Sequence, residues 1–207
     1  IDPSGLIVPG TMYNYNENGY ANVSTLEPGI GYWIRSFGDG IIIIQSSRTS
    51  KVNDPVSITS DMEIMNKIRF NGAELYFGAT ITENEQLSYS LPPKPPIGGK
   101  DIRFFGDTKL CTSDDCLIEV MNDKQPLVVE CDIKDGEVWE LSPVITGEMQ
   151  WSEIISLTGQ KQITLAAHSD QWVLRKSTSP QIPTIFALHS NYPNPFNPAT
   201  RITYDVP

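Results

Sequence analysis

No stretch of this 207-residue chain repeats its apolar residues at the roughly 3.6-residue spacing of a helix; short β-branched and aromatic runs are instead cut by turn residues at close intervals. Sixteen prolines and fifteen glycines supply most of that punctuation. A chain written this way predicts an all-β fold.

Five segments follow from the spacing of the runs. Residues 1–48 read as the C-terminal part of a β-rich module. They hold alternation at Tyr13 and Tyr15, a turn at Asn18-Gly19, further strands at Tyr20–Val23 and Tyr32–Arg35, and a last one at Ile41–Ile44. This is a small β-meander. Residues 49–56 bring turn chemistry without periodicity and read as a connector. Residues 57–177 then predict an antiparallel β-sandwich accessory domain, with strands over 62–70, 73–80, 86–91, 102–105, 116–121, 126–131, 138–141, 162–167 and 171–176. Asn71-Gly72 and Asp135-Gly136 are its clearest turns. Residues 178–185 form a polar linker, after which a new domain opens.

Inside the sandwich, ahead of the strand expected over 102–105, Leu91-Pro92-Pro93-Lys94-Pro95-Pro96 enforces extended backbone and removes four donors, so it cannot be a central strand. It reads as a rigid crossover between sheets. An SH3-type ligand is the alternative use of such a segment.

The formal charge of −10 comes from acidic residues scattered along the chain. Such a surface repels phosphate backbones and anionic lipid, so no nucleic-acid partner is expected. No window reaches the roughly 18 consecutive apolar residues of a membrane-spanning helix, so no membrane span is expected. Of the three cysteines, Cys111 and Cys116 flank a four-residue loop and form a candidate disulfide suited to an oxidising compartment, while Cys131 sits in a strand pattern as a buried thiol. His168 and His189 show no ligand spacing with them.

Catalytic signatures are absent: there is no nucleophile elbow, no zinc-protease helix motif and no phosphate or dinucleotide glycine loop. The sequence therefore predicts no enzyme, no catalytic residues and no cofactor. Two patterns leave binding open. Glu137 and Glu140 flank Trp139, Glu148 and Glu153 flank Trp151, and Trp139, Trp151 and Trp172 are a possible ligand platform for sugars, with burial in the core as the alternative. Asp114, Asp115, Asp132 and Asp135 put hard oxygen ligands on loops, a calcium pattern that turn chemistry explains equally well.

The end of the chain carries the most specific string. Asn191, Tyr192, Pro193, Asn194, Pro195, Phe196, Asn197 and Pro198, preceded by Phe186-Ala187-Leu188 and followed by Thr200, Ile202 and Tyr204 in alternation, resemble the opening of the C-terminal sorting domains on cargo of the type IX secretion system. The form is similar to the immunoglobulin-like domain of the flagellar hook-capping protein. The three prolines and three asparagines suit tight turns that place Tyr192 and Phe196 with little backbone entropy.

This resemblance spans residues 186–207, about a tenth of the chain, and implies the first strands of a truncated immunoglobulin-like domain. It implies a secreted or outer cell surface location, with the secretion machinery as partner through the complete C-terminal domain. Residues 26–35, and 91–96 with 101–104, more weakly resemble accessory stretches of large proteins of the same secretion class. The expected function is a noncatalytic accessory region of a bacterial surface protein. The alternatives are a sandwich module binding an extracellular glycan or protein, or the accessory part of an upstream secreted hydrolase.

Overall fold

The computed structural model describes residues 2, 5–44, 65–122, 126–144, 154–165, 169–177, 187–188 and 204–205. The chain falls into two compact units, Ile1–Ser177 and Thr178–Pro207. The described residues of both include β-strands, and the only helical residues described are a few around position 86.

The first unit begins with a three-stranded sheet: β1 (Ile7–Asn16), β2 (Gly19–Asn22) and β3 (Tyr32–Ser36). The expected turn forms, with Asn16 paired to Gly19 and the Asn16 side chain accepting from Asn18 N–H at 2.8 Å. The order differs from a meander, because β3 returns to the far side of β1 to give β2-β1-β3. Strand β1 is long enough to serve as the common partner. The loop after β2 is long enough to cross over it, so closing β3 onto the short β2 is not required. Ile41–Ile44, expected as a strand, carry none, and their end residues are each 75% exposed. Aliphatic β-propensity reflects packing on a half-buried sheet face, and all four of these residues are exposed.

Two five-stranded sheets follow. One has the order β12-β9-β4-β5-β7, from β4 (Asn66–Phe70), β5 (Ala73–Phe77), β7 (Leu110–Cys111), β9 (Leu127–Asp132) and β12 (Gln160–Leu165). The other has the order β11-β10-β13-β8-β6, from β6 (Asp101–Phe104), β8 (Asp115–Met121), β10 (Trp139–Pro143), β11 (Ile155–Leu157) and β13 (Gln171–Lys176). Asn71 and Gly72 both take positive φ, 45° and 93°, as the tight hairpin between β4 and β5 demands. Alternation is clean along β8, where Cys116, Ile118 and Val120 point inward. Inward residues of both sheets meet in one cluster that includes Ile68, Phe77, Ile118, Val129, Trp139, Leu141, Trp172 and Leu174. Pairing is antiparallel throughout these two sheets except at β5 and β7, which run parallel, so the expectation of a purely antiparallel arrangement is corrected there.

Residues 86–91, expected as a strand, instead hold a helical turn, α1 (Glu83–Gln86), that runs on into a tighter 3-10 turn at Leu87–Tyr89. Thr82 caps it: its hydroxyl accepts from Glu85 N–H while the Glu85 carboxylate accepts from Thr82 N–H at 2.8 Å. That Thr-x-x-Glu box outweighs the β-propensity of the residues after it. Tyr89 is buried edge-on against Tyr76, with ring centroids 5.7 Å apart.

The proline segment joins the helical turns that follow β5, a strand of the first five-stranded sheet, to β6 of the second. Its carbonyls are used although its nitrogens cannot donate: Arg103 Nη1 donates to Pro92 O at 2.8 Å and the Tyr20 hydroxyl to Pro93 O at 2.9 Å. Arg103 is itself fully buried and paired with Asp101 and Asp107. Residues 1–48 and 57–177, separate in the sequence reading, thus belong to one unit. Gly19 marks one close approach of the two, since a Cβ there would stand 3.1 Å from Lys100 O. The connector 49–56 lies outside the described residues.

In the second unit, β14 (Ala187–Leu188) pairs antiparallel with β15 (Tyr204–Asp205). The linker 178–185 and the string Asn191–Pro198 between those strands lie outside the described residues.

Candidate functional site

A concavity of the first unit lies where the three-stranded sheet meets the edge of the larger sheets. It is a cleft of about 810 Å³, lined from the small sheet by Tyr13, Tyr20 and Asn22 and from the body by Glu74, Tyr76, Asp101 and Lys109. Tyr13 and Asn22 are directly opposed across β1 and β2, so their side chains leave the same face of the sheet.

Lys109 is the chemical centre of this cleft. Its backbone is fixed on both sides, N–H to Tyr89 O at 2.9 Å and carbonyl from Tyr76 N–H at 2.8 Å, which leaves only the side chain to adjust. Nζ donates to Asn22 Oδ1 at 2.7 Å and stands 5.6 Å from the Tyr13 ring centroid. Burial pushes the amine down to about 8, against the opposing pull of the Glu74 charge. Burial alone would raise the Glu74 carboxyl. Hydrogen bonds from Tyr76 and Arg69 outweigh it and hold the group below its usual range.

Tyr13 is 2% exposed, and burial pushes its hydroxyl up to about 12. The hydroxyl makes no hydrogen bond of ordinary geometry, yet the Asn22 side chain lies near enough to offset part of that rise. The cleft therefore gathers an amine that is partly neutral at mildly alkaline pH, a carboxamide against it and a neutral phenol with a proton to give. Sequence reasoning missed this set. Lys109 sits in no motif, and only the β2-β1-β3 order and the parallel β5–β7 pair bring it to Asn22.

The residues singled out from the sequence distribute differently. Trp139 and Trp172 are 0% and 1% exposed, so neither is a ligand platform, and that reading is corrected for both. Each satisfies its indole N–H inside the protein, Trp139 at Glu137 (2.9 Å) and Trp172 at Ser169 O (3.1 Å). A large ring with one donor is stable in a core once that donor is paired. Trp151 lies outside the described residues, as do His168, His189, Glu148 and Glu153. Trp33, not singled out beforehand, is half exposed and lines a cavity of about 190 Å³ with Pro92 and Pro93.

Cys111 and Cys116 are joined in a disulfide, with Cα atoms 6.1 Å apart, and Cys131 is a buried free thiol that burial makes harder to ionise. Asp115 pairs with Arg175 rather than with other acids, and no group of three metal-ligating side chains occurs among the described residues. Comparison with family models, with curated proteins and with solved structures finds no match to this chain.

Proposed function

We propose that this chain is a noncatalytic accessory region of a secreted or surface-displayed bacterial protein, a β-sandwich carrying a small extra sheet, followed by the start of an immunoglobulin-like sorting and attachment domain. The observation that carries the reading is the string Asn191–Pro198 with the alternation that follows it. The Cys111–Cys116 disulfide supports it, because such bonds persist in oxidising compartments. The dominance of strands over helix supports it as well.

The test compares, in the native bacterium, the location of the full-length protein with that of a version ending before Phe186, by surface proteolysis and fractionation. Export of the full-length form with periplasmic retention of the shortened one is the expected result. Equal export of both removes the sorting role and leaves a structural protein.

A second reading, a module that binds an extracellular glycan or protein, is favoured by half-exposed Trp33 beside the cavity at Pro92 and Pro93. Binding there shifts Trp33 emission, and Trp33→Phe abolishes the shift. A panel of glycans that leaves the emission unmoved removes the glycan form of this reading.

A further inference from the structure

We infer that Lys109 and Asn22 form an intramolecular amide cross-link that ties the three-stranded sheet covalently to the body of the first unit. The two side chains already touch, Nζ to Oδ1 at 2.7 Å, across 87 positions of sequence. Both are held in place. The Lys109 backbone is bonded on both sides, and Asn22 Nδ2 donates to Gly10 O at 2.6 Å, which turns the carboxamide oxygen toward the amine.

In the reaction the neutral amine attacks Cγ of Asn22. The Nζ–Cγ bond forms, the Cγ–Nδ2 bond breaks, and the proton shed by the attacking nitrogen goes to Nδ2, which leaves as ammonia. Nothing is oxidised or reduced, and no further reactant is needed. Three features favour these steps. Burial supplies neutral amine at mildly alkaline pH. The buried Tyr13 hydroxyl, opposite Asn22 and without a hydrogen bond of ordinary geometry, offers its proton to the oxygen as that oxygen becomes negative. Asn22 itself is exposed at the mouth of the cleft, so ammonia departs directly to water. Glu74 acts against the reaction, since its charge favours the ammonium form of Lys109.

The chain as it stands is incubated at mildly alkaline pH, denatured, digested with trypsin and analysed by mass spectrometry. Intact mass alone does not decide, because succinimide formation at Asn18-Gly19 or Asn71-Gly72 loses the same ammonia. The expected product is a branched peptide joining residues 1–35 to 104–124, with no cut after Lys109 and one ammonia missing. It is absent from Lys109→Arg and from Asn22→Ala. Tyr13→Phe slows its appearance by on the order of tenfold or more, and Glu74→Gln speeds it near neutral pH. A wild-type digest in which trypsin cuts after Lys109 and peptide 1–35 is unbranched overturns the inference. That readout needs no variant to fold.

Discussion

Replacing Arg103 with methionine removes a buried cation and leaves its partner behind. Arg103 is fully buried and Asp101 is 6% exposed, so in the variant the Asp101 carboxylate keeps its desolvation cost without its counter-charge. Breaking a buried pair in this way costs about 3–5 kcal/mol. The lost bond to Pro92 O adds about 1 kcal/mol, and Asp107, half exposed, adds little. The pH dependence has a definite sign. Burial already raises the Asp101 carboxyl against the pull of Arg103, and removing the cation raises it further. A carboxyl raised in the folded state loses stability as pH climbs from its unfolded value through its folded one. The penalty of Arg103→Met relative to wild type is therefore full at pH 7 and shrinks as the solution is acidified toward pH 4. Denaturant unfolding of wild type, Arg103→Met, Asp101→Leu and the double variant measures it. The double variant recovers most of the loss, because apolar groups in place of a buried pair are close to neutral. A single-variant cost under about 1 kcal/mol, or a penalty that does not change with pH, refutes this account of the pair.

Gly78 takes φ +69°, and a Cβ there would lie 2.5 Å from Asn66 Nδ2 and 3.0 Å from the Trp139 ring, so Gly78→Ala lowers stability by about 1–3 kcal/mol, read as a fall in thermal midpoint. Glu137 is held below its usual range: burial would raise it, but bonds from Trp139, Asn66 and Lys176 prevail. A carboxyl lowered in this way contributes stability that is present above its unfolded value and lost as pH falls through the folded one, so Glu137→Gln flattens the acid limb of the stability profile. Cys131 stays unreactive toward a thiol reagent in native buffer and reacts once per chain on unfolding, which a colorimetric thiol count follows.

Much of the larger unit was legible because its strands obey one rule. Where turn residues bound an alternating run, as with Asn71-Gly72 or along residues 115–121 and 171–176, the two faces of the strand differ in burial, and sequence records that difference directly. Leu110–Cys111 and Ile155–Leu157 are too short to hold a period, so β7 and β11 went unseen. At 86–91, local capping by Thr82 and Glu85 opposes strand propensity and prevails. The order β2-β1-β3 is a choice between the two free edges of one hairpin, which no local pattern encodes. The cleft was illegible for the same reason. Its amide and phenol face each other across one hairpin, but its amine lies 87 positions away from the amide, and chemistry arises only when topology sets them side by side.

Strand β7 is two residues long, sits at the outer edge of its sheet and, among the described residues, is the one neighbour that strand β5 has on that side. Strand β5 carries Leu75, Tyr76 and Phe77, an apolar run that would make an adhesive template if its edge opened. Two residues of pairing hold such a cover weakly, but Cys111 at its end is bonded to Cys116 in β8 of the opposite sheet. The bond acts as a latch on an aggregation-prone seam. Under reducing conditions the folded protein is expected to lose colloidal stability before it loses its fold, forming oligomers at high concentration while its far-ultraviolet spectrum is still native.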